Sequence, residues 1–176
     1  MIPSLTWWAL TCGDVLAAPT LLQKDTAKLL KRLEKAAGSL PLSLRIFYEV
    51  VGSVDLRGKH PNLCPPKASI CPDPLVIFPL PGVLAEAEEM AQEEEDDLRL
   101  ALAPDDIHKS GESGGSPYEV AVPELRADGE LINERHELLF VDYLGLCFQF
   151  CGFPGDEGDD DVPPEIGTLR AGLVEF

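Results

Sequence analysis

The chain has 176 residues, 45% hydrophobic and 26% charged, which is enough apolar surface for one folded core and too little length for two large ones. Thirty-one Asp and Glu against 14 Lys and Arg give a formal net charge of −17, which disfavours direct binding to a nucleic-acid phosphate backbone and favours a basic partner. No apolar run approaches the ~18 residues of a membrane-spanning helix.

The opening MIPSLTWWALTCGDVLAAP is apolar, but it lacks a basic n-region and Gly13-Asp14 interrupts it. A cytoplasmic protein is therefore expected rather than an exported one. The five cysteines, Cys12, Cys64, Cys71, Cys147 and Cys151, are an odd number without regular spacing and read as reduced thiols. From Thr20 to Ala37, Leu22, Leu29, Leu30, Leu33 and Ala37 form one stripe with lysines and Arg32 elsewhere. This predicts an amphipathic helix opened by a Thr20/Gln23 capping pair and closed by Gly38. A second helix follows Pro41, with Leu44, Phe47, Tyr48 and Val51 at helical spacing, and stops at Gly52.

Ser53 to Leu56 reads as a short strand and Leu75 to Leu80 as a buried one, separated by the Pro-rich loop HPNLCPPKASICPDP. Residues 86–97, with eight acids in twelve positions, predict a solvated helix or mobile insertion without an apolar face to bury. Leu98 to Ala103 and Tyr118 to Pro123 predict an antiparallel pair, and Asn133 to Phe150 a core helix with Leu139, Tyr143, Leu146, Cys147 and Phe150 inward. An acidic loop, 155–163, precedes a short last helix carrying Ile166, Leu169 and Leu173. The whole is expected to be one α+β domain over 1–176, with a central, mostly antiparallel sheet and helices packed on it.

Gly111-Glu112-Ser113-Gly114-Gly115 matches the G-x-S-x-G pattern of a hydrolase nucleophile elbow, and Ser113, Asp128 and His136 follow the chain order of its triad. An elbow needs a strand before the serine and a helix after it. Here Pro104-Asp105-Asp106 breaks the chain before the motif and Pro117 opens a strand after it, so a loop with glycines at positive φ is preferred. His60, Cys64 and Cys71 share one loop but match no usual zinc spacing, and the acidic runs lack the alternation of an EF-hand. No metal, cofactor or catalytic residue is assigned.

Leu40 to Gly58, LPLSLRIFYEVVGSVDLRG, resembles the opening signature of the SUKH superfamily, with Leu40, Pro41, Leu44, Phe47, Tyr48 and Gly52 at its positions. The resemblance implies an α+β fold and a non-catalytic binding role, many members being immunity proteins that neutralise toxins, often nucleases. Joined to the charge, it points to a basic toxin or nuclease as partner. The contact residues expected are Glu93, Glu94, Glu95, Asp96 and Asp97 in the first acidic run and Asp159, Asp160 and Asp161 in the second. A serine hydrolase built on Ser113 and a structural or adaptor module are the alternatives.

Overall fold

The computed structural model describes residues 25–57, 73–92, 98–109, 111, 114–154 and 171. The Thr20/Gln23 cap, residues 60–72 of the Pro-rich loop, Glu93 to Asp97, Ser113, loop 155–163 and Ile166, Leu169 and Leu173 of the expected last helix lie outside them. In chain order the elements are α1 (Thr26–Ala37), α2 (Leu42–Val50), β1 (Val54–Asp55), β2 (Val76–Ile77), α3 (Leu80–Met90), β3 (Arg99–Ala103), α4 (Asp106–Lys109), β4 (Tyr118–Ala121) and α5 (Phe140–Gln149). This is the expected α+β class.

Helices α1 and α2 follow from their stripes, but α1 begins at Thr26 after a non-helical Asp25 and not at Thr20. Leu30, Leu33 and Ala37 are buried on α1, and Leu44, Phe47 and Tyr48 on α2. Gly38 ends α1 at φ +84, where the chain passes so close to Pro123 that a Cβ would sit 2.7 Å from its Cβ. Only glycine meets both demands. Leu29 is merely half-buried and Val51 is exposed, because the inward arc of each helix is narrower than the run of apolar residues on it.

Two short antiparallel ladders replace the single sheet expected. β1 pairs with β2 through Val54↔Ile77 and Asp55↔Val76. β3 pairs with β4 from Arg99↔Ala121 to Ala103↔Tyr118, with an irregularity between Ala101 and Ala103. One bond from the Phe78 N–H to the Leu102 carbonyl, 2.7 Å long, ties the two ladders together. On its other side β4 bridges Glu119 to Ile132. Leu100, Ala101, Leu102 and Ala103 are all buried, so β3 is covered on both faces and sits at the centre of the core.

Residues 75–80 do not form one strand. The ladder ends at Ile77, and Leu80 opens α3 with Pro79 before it and Pro81 in its first turn, where a missing N–H costs nothing. Leu80, Val83, Leu84 and Ala87 then bury one face against the core, and α3 lies between α1 and β3. Glu86 to Met90 is therefore the outer part of an anchored helix, with Ala87 fully buried. Arg32 of α1 reinforces the packing by a two-pronged contact to Glu88, at 2.8 and 2.9 Å.

The late helix is shorter than expected. Asn133 (φ +66) and Glu137 (φ +55) hold turns that a helix cannot contain, and Leu131 instead bonds back to Leu138. Starting at Phe140 shifts the inward face to Phe140, Tyr143 and Cys147. Leu139 is exposed and Leu146 and Phe150 only half-buried. α5 meets α2 through Phe47 and Phe140, edge to face at 5.5 Å, and meets β4 through Tyr118 and Tyr143 at 6.1 Å.

Candidate functional site

The chemistry-bearing side chains inside the fold gather where α4, β4 and α5 meet the segment leading into β2. Lys109 Nζ lies 2.6 Å from Asp73 Oδ1, and both side chains are completely buried. Tyr118 donates its hydroxyl to the other oxygen, Oδ2, at 3.3 Å, and its ring lies 4.4 Å from the Lys109 nitrogen. A buried carboxylate is tolerable only with such company, since an unpaired charge in the core would be expelled or neutralised.

The neighbouring groups are equally dry. Burial first, then the Asp73 charge, holds the Tyr118 phenol well above its ordinary range. Burial likewise raises Tyr143, whose hydroxyl has no partner with hydrogen-bond geometry among the described residues. The Cys147 thiol is pushed up to about 12, chiefly by burial. Burial of this kind disfavours the thiolate form. Cys151 is buried as well. Glu134, also buried, accepts from His136 Nδ1 at 2.5 Å and from the His136 backbone N–H at 2.8 Å.

The loop that holds GESGG follows α4 and precedes β4, so its described neighbours run helix, loop, strand. An elbow requires the opposite order. Asp105 starts α4 by accepting the Ile107 and His108 N–H groups at 2.9 and 3.1 Å, and it also meets the His108 ring. Burial alone would raise the Asp105 carboxyl, but the His108 contacts outweigh it and hold the group below its ordinary value. Gly115 lies against this carboxylate at φ +74, and a Cβ there would come within 2.5 Å of Asp105 Oδ1. With Gly111 (φ +89) and Gly114 (φ +139), the motif's glycines serve backbone geometry.

Asp128 and His136 are not brought together. Asp128 accepts from Ser43 Oγ at 2.5 Å, from the Gly129 N–H at 3.0 Å and from the Val141 N–H at 3.1 Å, joining the starts of α2 and α5. His136 faces Glu134 instead. Ser113 lies outside the described residues, as do Glu93 to Asp97, Asp159 to Asp161, His60, Cys12, Cys64 and Cys71.

On the described surface the cations are largely spoken for. Arg32, Arg45, Arg57, Arg99 and Arg126 each close on a carboxylate. Glu86 is held above its ordinary value by burial and then by the Glu119 and Glu89 carboxylates, a local excess of negative charge across α3 and β4. The exception is α1, where Lys28, Lys31 and Lys35 are exposed. Sequence reading missed both the Glu86/Glu89/Glu119 cluster and the Asp73–Lys109 pair. The only signal for the pair was an aspartate between two prolines, Pro72 and Pro74.

Among the described residues no group of three or more His, Cys, Asp or Glu could hold a metal ion, and no helix is long and apolar enough to cross a membrane. Compared with family models, curated proteins and solved structures, the chain matches none.

Proposed function

We propose that the protein is a non-catalytic binding protein that engages a basic protein partner through carboxylates, in the manner of a SUKH-like immunity protein meeting a toxin or nuclease. The observation that carries this reading is the charge. The net charge is −17, Arg32, Arg45, Arg57, Arg99 and Arg126 each already face a carboxylate, and Glu86 is held above its ordinary value by burial and by the Glu119 and Glu89 carboxylates. Such a surface speeds encounter with a cationic partner and repels nucleic acid. The resemblance of Leu40 to Gly58 to the SUKH opening signature points the same way, since it implies a non-catalytic binding role.

The contact residues proposed are Glu93, Glu94, Glu95, Asp96 and Asp97, with Asp159, Asp160 and Asp161. The test is affinity capture from the native host, followed by association kinetics of the captured partner at rising salt. Binding should slow as screening shortens electrostatic reach from ~30 Å at 0.01 M to ~8 Å at physiological ionic strength. Charge reversal at Glu93, Glu94 and Glu95, or at Asp159, Asp160 and Asp161, should weaken it with the fold intact. The serine-hydrolase alternative is checked in parallel with a fluorogenic ester: turnover abolished by Ser113→Ala would replace the binding reading with that one.

A further inference from the structure

Of the nine large apolar side chains left exposed among the described residues, three share one face of α2. Leu42, Ile46 and Val50 recur every fourth residue on α2 and are each about half exposed or more, Val50 at 65%. Residues four apart share one helix face, so these three form a continuous ridge. Ile46 and Val50 lie one turn on from Ser43 and Phe47, the two α2 side chains directed at Asp128 and at α5. The ridge thus borders the α2–α5 seam.

Two further residues extend it. Val141 is half exposed at the start of α5, and its N–H binds the same Asp128 carboxylate as Ser43. Leu125, 89% exposed, stands in the loop whose Ala127 carbonyl accepts the Ser43 N–H at 2.9 Å. Apolar surface gathered in this way marks an interaction site, whereas single exposed residues do not.

Charge decides what covers it. Arg45 is clamped between Glu34 at 2.9 Å and Glu49 at 3.1 Å along the outer edge of the ridge. Asp128 stands at its head, and the exposed Asp142 follows Val141. Glu34, Glu49, Glu124, Asp128 and Asp142 against Arg45, Arg126 and the Lys31 one turn from Glu34 leave this frame at −2, in a chain of −17. A second copy would bring the same negative frame against itself.

We propose that the α2–α5 face, ridged by Leu42, Ile46 and Val50 and ending at Leu125 and Val141, is a docking surface for the apolar side of a cationic amphipathic helix on a basic protein partner. It deepens, and rests on, the reading of the protein as a binder of basic partners. The ridge supplies anchors at helical spacing, and the surrounding carboxylates meet the lysines or arginines that flank the partner's apolar stripe.

The test uses the full chain and two peptides of identical Leu and Lys composition, one with its leucines on a single helical face and one scrambled so that no face is apolar. Titration calorimetry at physiological salt should give roughly tenfold or more tighter binding of the amphipathic peptide. Ile46→Glu adds negative charge, so it should strengthen the scrambled peptide's binding or leave it unchanged while removing the amphipathic peptide's advantage. Val50→Glu repeats the measurement at a second position, and an unchanged circular-dichroism melt shows that each variant folds. Equal binding of the two peptides, indifferent to Ile46→Glu, would overturn this surface and leave the basic-partner reading standing. Failure of both peptides to bind even at low salt would overturn both readings. A wild-type dimer that Ile46→Glu converts to monomer in sedimentation would assign the face to a second copy and overturn the proposal.

Discussion

The Asp73–Lys109 pair is the most consequential contact between single residues. Lys109→Met would leave the Asp73 carboxylate buried without its cation and should cost about 3–5 kcal/mol in a urea melt. Combining it with Asp73→Asn removes the charge too, keeps a residue that tolerates φ +46, and should recover much of that loss. A double variant as unstable as the single one would show that packing, not charge, holds the site. Asp105 supplies a pH signature. Its folded-state value is depressed, so its contribution is present above the ordinary carboxylate value of about 3.9 and is lost as pH falls through the folded value. Asp105→Asn should therefore lose stability at neutral pH, with the gap to wild type narrowing as pH falls below the ordinary carboxylate value, as read by a series of denaturant melts.

At the scale of elements, burial follows the phase of each helix rather than its apolar content. Phe47 is buried between Tyr48 and Phe140, with ring centroids 5.8 and 5.5 Å away. Phe47→Ala and Phe140→Ala should each cost about 3–5 kcal/mol, as large-to-small core changes do. Leu139, expected inward, is exposed, and Leu139→Ala should stay within about 0.5 kcal/mol of wild type. A Leu139→Ala loss as large as that of Phe140→Ala would restore the earlier helix start. The stripes of α1 and α2 were legible because each lies between a Pro or polar start and a glycine stop. The start of α5 was not, because Asn133 and Glu137 adopt positive φ without being glycine, a choice made by the Leu131–Leu138 pairing around them. In α3 the signal was present in Leu80, Val83, Leu84 and Ala87, but LVIFPL before it satisfies strand and helix patterns alike until β2 finds β1 as its partner.

For the whole molecule, charge is the property with reach. The acidic excess outside α1 should make association with a basic partner salt-sensitive, and reversal of Asp159, Asp160 and Asp161 should lower the on-rate more than it raises the off-rate. Stopped-flow mixing at two ionic strengths checks this. A salt-independent on-rate would remove electrostatics from recognition. The exposed ridge on α2 adds the short-range counterpart, since long-range attraction alone brings partners together without fixing their register.

Composition by itself determined the net charge of −17, because formal charge is summed over the chain and does not depend on folding. Local spacing determined α1, α2, the β3–β4 pair and the need for positive φ in the glycine loop, since periodicity and steric freedom act within a few residues. Only the tertiary structure decided that Asp73 meets Lys109 across 36 positions, that Asp128 serves two helix starts instead of His136, and that Leu42, Ile46 and Val50 stay outside while Leu44, Phe47 and Tyr48 go in. Each of these depends on which side of a helix the rest of the chain covers, and that is settled by contacts between residues distant in sequence.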